Sequence, residues 1–177
     1  MKSYLLIITI LIGFISGKMI NEIMGERVQV EPFKIMGIQI HTSNQDGQSA
    51  KDMGELWGRF IAENIISQIQ HPAGNEVYVI YTDYESDYRG KYTAIIGLKV
   101  KIIENVPDEL VAIEVKGGSY TKIMVSGLMP DAIMNTWMKI WDADKELQRK
   151  YTADFEVYGP EFQNGSESEM EIYIATK

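Results

Sequence analysis

The sequence predicts an α+β fold: a duplicated strand–helix–strand–strand module that forms an antiparallel-rich sheet, with two long helices on one face and a central groove. Three observations carry this. Two amphipathic helical stripes begin near residues 50 and 130. Each is followed by a pair of strand-like segments, near residues 77 and 154 for the first strand of each pair. The whole pattern therefore recurs at an offset of roughly 77 to 80 residues, and a repeat of that size packs into one pseudo-symmetric domain with a groove between its halves.

In the first module, Phe33 to Thr42 alternates, with Ile35, Gly37 and Gln39 on one side and Met36, Ile38 and Ile40 on the other. A period of two is the strand signature. Ser43 to Ser49 reads as a loop, with Ser49 and Asp52 spaced as a capping pair. Met53, Leu56, Trp57, Phe60, Ile61, Ile65 and Ile69 then recur at three- and four-residue spacing, predicting a helix of about five turns that stops before His71-Pro72-Ala73-Gly74. Glu76–Tyr84 and Tyr92–Glu104 form a hairpin across the polar turn Glu85–Lys91.

Pro107-Asp108 marks the joint between modules, which span about 30–105 and 108–175. Leu110–Val115 and Ser119–Ser126 are strand-like and are separated by Gly117-Gly118, where a bend is expected. Pro130 stands where a helix begins, and Ile133, Met134, Trp137, Met138, Ile140 and Trp141 give the second amphipathic helix. Thr152–Tyr158 and Glu169–Ala175 close the module as strands.

Residues 1–23 stand outside this domain, which is taken as 24–177. Tyr4 to Gly17 is an uncharged apolar run between Lys2 and Lys18, short of the about 20 residues a membrane span needs. It reads as the core of a signal peptide or as a short membrane tether through residues 4–17. The protein is then exported or membrane-tethered. If translation instead starts at Met19 or Met24, it is cytoplasmic.

Composition narrows the chemistry. The 177 residues carry 17 Lys+Arg against 25 Asp+Glu, a net charge of −8, and no Lys/Arg run, which argues against a grip on nucleic-acid phosphates. The chain has no cysteine, and its two histidines, His41 and His71, are too few for an ordinary metal site, so no cofactor and no metal are expected. The serine-hydrolase elbow, the dinucleotide and phosphate loops and the zinc-protease helix motif are all missing. No catalytic residue is assigned. Asp83, Glu85 and Asp87 read as a solvated acidic turn, and Asn164-Gly165-Ser166 as a chance glycosylation sequon in a loop.

One carboxylate stands out. In Asp154-Phe155-Glu156-Val157-Tyr158, alternation sets Phe155 and Val157 on one face and Asp154, Glu156 and Tyr158 on the other. If the apolar face packs under the helices, Glu156 and Tyr158 line the opposite, groove face. A mid-strand glutamate among aromatic rings would be desolvated and would seek a positive partner, whereas on an open sheet it would simply face water. Lipophilic cations satisfy both ring faces and carboxylate. Trp57, Trp137 and Trp141 lie on helical stripes, where core packing is the default and at most one or two touch a ligand.

The stretches Phe33–Ile38, Glu55–Phe60, Tyr81–Glu85 with Gly90–Thr93, Ile96–Val100, Gly117–Tyr120, Trp137–Trp141, Asp154–Tyr158 and Glu171–Ile174, in this order, resemble the GyrI-like, AraC-type effector-binding domain. The resemblance covers about residues 30–175. It implies an aromatic-lined pocket between two modules with an acidic residue at its base, a role that falls on Glu156. Tyr158, Trp57, Tyr84, Tyr92, Tyr120 and Trp141 then offer the wall, and the expected partner is a lipophilic, cationic small molecule. Many relatives carry a DNA-reading helix-turn-helix ahead of this domain. Here the upstream residues are an apolar run and a short linker, so direct nucleic-acid binding is not expected. The resemblance leaves two alternatives: a hydrolase of strained electrophiles with Glu156 as general base, and a gyrase-inhibitor-like module that acts on a protein partner.

Overall fold

The computed structural model describes residues 25–163 and 165–177. The predicted signal peptide or tether lies outside the described residues, as does Asn164 of the sequon. Among the described residues no helix is long and apolar enough to cross a membrane.

Eight strands form a single antiparallel sheet: β1 (Glu26–Val30), β2 (Phe33–Ser43), β3 (Pro72–Thr82), β4 (Lys91–Val100), β5 (Val111–Val115), β6 (Gly118–Ser126), β7 (Ala153–Tyr158) and β8 (Glu169–Ala175). The two long helices are α1 (Gln48–Ala62) and α2 (Asp131–Asp142), and a one-turn α3 (Asp144–Leu147) follows the second. The spatial order is β1-β6-β8-β7-β3-β4-β2-β5. This order is symmetric about the β3–β7 contact: β4 then β2 stand on one side, β8 then β6 on the other. The two modules are thus joined through their central strands, and the predicted α+β duplication is present.

Each module begins with a strand that pairs with the other module. β1, which precedes the first module, adds to the edge of β6, with Val28 opposite Tyr120. β5, the first strand of the second, adds to β2, with Ile113 opposite Ile35. The exchange caps both edges and ties the halves together beyond the β3–β7 ladder. Periodicity missed β1, because Glu26-Arg27-Val28-Gln29-Val30 has only two apolar residues and follows the apolar run.

Four element ends differ from the sequence expectation. The first helix stops at Ala62, where Asn64 turns left-handed, and continues only as a 3₁₀ turn over Ile65–Gln68. Both segments keep their apolar residues on the same stripe, so periodicity ran through the break. Ser49 does not cap α1, whose N-cap is Gly47 with no side-chain hydrogen bond; Asp52 instead accepts a 2.6 Å bond from Thr42 of β2. β4 ends at Val100 rather than Glu104, and β3 begins at Pro72, across from Val100 and ahead of a register shift.

Both helices pack on one face through Leu56, Phe60, Trp137 and Ile140, onto Met36, Ile96 and Ile172 of the strands. The other face has its own buried cluster around Phe33, Ile80, Tyr120 and Phe155. Phe33 of β2 and Phe155 of β7 are three strands apart, roughly 14 Å in a flat sheet, yet their ring centroids are 5.2 Å apart. The sheet therefore curls around this second cluster. Curling needs close backbone approach, and Gly37 faces Gly97 across β2–β4. A Cβ on Gly37 would stand 2.0 Å from the Ile96 carbonyl oxygen, and one on Gly97 would stand 2.1 Å from that of Met36.

Candidate functional site

Along β7 the alternation holds, but the faces are reversed from the conditional expectation. Phe155 and Val157 turn into the curl of the sheet, away from the helices. Glu156 and Tyr158 point up under α1 and α2. Periodicity could pair residues by face but could not say which face the helices cover, because both faces bury apolar side chains.

Glu156 is 1% exposed. Its carboxylate accepts three hydrogen bonds: from the Tyr81 hydroxyl at 3.0 Å, the Trp137 indole N–H at 2.6 Å and the Tyr158 hydroxyl at 2.6 Å. All three donors are neutral, and among the described residues no cationic side chain pairs with it. Burial pushes the Glu156 carboxyl above its usual range, while the three donors pull it back down. The same carboxylate acts on its neighbours: burial first, and its negative charge second, hold the Tyr81 and Tyr158 hydroxyls well above the ordinary tyrosine range. These hydroxyls are therefore fixed as donors at any physiological pH.

Above this carboxylate lies a cavity of about 360 Å³ between the two helices. α1 supplies Met53 and Trp57, and α2 supplies Ile133, Trp137 and Trp141. The hairpin supplies Tyr81, Tyr84, Tyr88 and Tyr92. The rings brace one another. Tyr81 meets Trp137 edge-on at 5.2 Å, Trp57 meets Tyr158 at 5.2 Å, and Tyr88 stacks on Trp141 at 5.8 Å. Tyr92 donates to the Asn44 side chain at 2.9 Å, and burial raises its hydroxyl to about 12. The rings thus form an aromatic box around one carboxylate.

A second ionic group, Arg149, also lines the cavity and is paired with a carboxylate through Nη2, while its buried Nε and Nη1 carry no hydrogen bond. Arg149 donates from Nη2 to Asp154 Oδ2 at 2.6 Å, and both side chains are buried. Asp154 also accepts from the Tyr84 hydroxyl at 2.9 Å and the Ala175 amide at 2.8 Å. Burial works against the Arg149 charge, and the adjacent Asp154 carboxylate more than restores it. The guanidinium is further sandwiched by the Tyr151 ring, 4.4 Å away. Arg149 is thus engaged by Asp154, with Asp144 4.0 Å from its Nη1, and Glu156 is left without an ionic partner among the described residues.

Of the residues expected from sequence, Glu156, Tyr158, Trp57, Tyr84, Tyr92 and Trp141 come together at this cavity. Tyr120 does not. It is 2% exposed on the opposite face, packed edge-on against Phe155 at 5.3 Å, because β6 places it inside the curl of the sheet. All three tryptophans line the cavity. Sequence reasoning missed Tyr81 and Trp137 as partners of Glu156, although Tyr81 sits on the hairpin strand beside β7. Arg149 and Tyr88 had no readable signal, since they come from loops that only the tertiary fold brings in. The metal-poor reading concerned residue types; among the described residues no group of three potential ligands clusters.

A family model of integron-associated effector binding proteins, Cass2, matches residues 27–176. YobU of Bacillus subtilis (strain 168), named as a candidate transcriptional regulator, is 24% identical over 148 residues, 81% of this chain and 92% of its own. An integron cassette protein from the mobile metagenome of Vibrio cholerae superposes with a TM-score of 0.69 at 27% identity, covering 86% of this chain and 95% of that one. SAV2435, solved bound to tetraphenylphosphonium, shares the fold with a TM-score of 0.73 at 18% identity, covering 87% and 94%. With the match running from the start of β1 to the end of the last strand, the chain belongs to the Cass2 family of integron-associated effector binding proteins.

Proposed function

We propose that this effector-binding domain takes lipophilic, cationic small molecules into the cavity between α1 and α2, with Glu156 as their counter-ion. The observation that carries the reading is the state of Glu156: buried, ionisable, held by three neutral donors and facing an aromatic box. A buried carboxylate without a cation is costly, and the structure offers it hydrogen bonds but no opposite charge. A ligand cation would supply that charge in a site where water cannot screen it. The Arg149–Asp154 pair supports the same reading, since it engages the guanidinium and leaves Glu156 without an ionic partner among the described residues. SAV2435, which shares the fold, was solved with a lipophilic cation bound, which is consistent with this ligand class.

A matched pair of ions tests the reading. Tetraphenylphosphonium and tetraphenylborate have the same shape and opposite charge. At a hundred times its dissociation constant a ligand stabilises a fold by about 2.7 kcal/mol, a shift of several degrees in Tm. The cation is expected to raise Tm and the anion is not. Equal shifts from both would refute the role of charge.

A further inference from the structure

A second cleft of about 1050 Å³ opens beside the first cavity, between the end of α1, the start of β3 and the turn after β7. Trp57, Pro130, Ile133 and Tyr158 line both spaces, so a single layer of side chains separates them. The floor of the second cleft is apolar: Phe60 beneath, and Phe162, whose ring packs edge-on against Tyr158 at 4.6 Å. Its rim carries two isoleucines held out to water, Ile61 at 72% exposure and Ile66 at 48%. Large apolar groups at such exposure, contiguous with a ligand cavity, mark a binding surface more often than a random surface position.

We infer that the two spaces form one bipartite site, in which the inner cavity holds the cationic head of an amphiphile and the outer cleft holds its apolar tail. This rests on the reading of the inner cavity as a cation site and specifies the ligand class further. Size argues for it first. A cavity of about 360 Å³ is near the lower end of the about 300 to 1,000 Å³ that drug-sized ligands fill, so a larger molecule has to extend beyond it. Chemistry gives the direction. Among the described residues the outer cleft holds no cationic side chain and one carboxylate, Glu76, so it offers nothing to an anion and a continuous apolar strip to a hydrocarbon. Geometry gives the link, since Trp57 and Ile133, one from each helix, present a face to each compartment.

The test is a series of n-alkyltrimethylammonium ions on the whole chain, from tetramethylammonium to tetradecyltrimethylammonium, by calorimetry below their micelle concentrations. Each methylene that reaches the outer cleft is expected to tighten binding about fourfold. The double substitution Ile61→Gln with Ile66→Gln, at two exposed positions, is expected to flatten that gain for long tails and leave the short ions unchanged. An affinity that levels off once the inner cavity is full overturns the inference, and so does a long-tail gain that survives the double substitution. The underlying cation reading fails separately: long-chain alcohols would then bind as tightly as the ammonium ions, whatever the tail dependence. No binding at any chain length overturns both.

Discussion

Replacing Glu156 by Gln removes one charge and almost no volume. The glutamine carbonyl oxygen can still accept from Tyr81 and Trp137, and its amide can donate to the Tyr158 hydroxyl, which is free to rotate. The box should therefore keep its shape, and only the charge is lost. The expected effect on a cation follows from Coulomb's law. A cationic centre about 5 Å from the carboxylate, at an effective dielectric near 20, gains about 3 kcal/mol. That corresponds to roughly two hundredfold in dissociation constant. For a neutral ligand of the same size the expected change is within a factor of about three, since ring contacts and burial are unaltered. The fold should not suffer, because removing a buried charge that lacks a cation relieves a desolvation cost; urea midpoints of the ligand-free protein are expected to stay level or to rise. Calorimetry at neutral pH on the wild type, Glu156→Gln and Tyr120→Phe reads all of this. Tyr120→Phe is the control, because that ring sits inside the curl of the sheet and should leave affinity unchanged. Equal losses for the cation and its neutral analogue in Glu156→Gln would refute the reasoning, as would an unchanged cation affinity.

Four further outcomes follow from the same geometry. Because the folded Glu156 carboxyl is raised above its unfolded value by burial, the native state binds more protons between the two values. The group's penalty on stability is thus absent below the unfolded value and grows as pH rises through the folded one; Glu156→Gln should remove that dependence from pH-resolved denaturation. A bound cation favours the carboxylate, so at pH values around the folded one binding should release protons, seen as heats that scale with buffer ionisation enthalpy. Arg149→Met strands Asp154 as a buried carboxylate and should cost about 3 to 5 kcal/mol by urea unfolding, whereas a loss under about 1 kcal/mol would mean that water reaches the pair. Gly97→Ala places a methyl group against the Met36 carbonyl and should destabilise by more than about 2 kcal/mol, and an unchanged Tm would refute the close crossing of β2 and β4.

The parts of this molecule that were legible in its sequence are those governed by local periodicity. The period-two runs and the two helical stripes placed seven of the eight strands and both long helices, because burying one face requires that spacing wherever the element lies. β1 escaped, since an edge strand needs only a ladder partner and few apolar residues. The helix break at Asn64 escaped because its apolar stripe runs on through the 3₁₀ turn. At the site, the grouping of Asp154, Glu156 and Tyr158 on one face was readable, but the side of the sheet was not. A curled sheet buries both faces, and nothing in an alternating strand tells concave from convex. Tyr120 illustrates the cost: its strand position was expected, and its side chain lies on the face away from the helices, packed against Phe155.

The duplication itself explains why the site holds one charge. Val79 of β3 stands directly opposite Glu156 of β7 at the join between modules. Tyr81 and Tyr158 are separated in sequence by the same interval as Val79 and Glu156, so the pseudo-twofold relation of the halves maps one tyrosine onto the other and the glutamate onto a valine. Tyr81 reaches the carboxylate across the strand pair and Tyr158 reaches it along the same strand. Had the repeat kept an acid at both positions, two carboxylates would face each other in a dry cavity and would have to share a proton, weakening rather than doubling the grip on a cation. The buried Val79 prevents this while filling the core beneath the helices. The symmetric scaffold thus supplies two tyrosine donors, and the departure from symmetry at its centre, Val79 against Glu156, leaves one carboxylate between them.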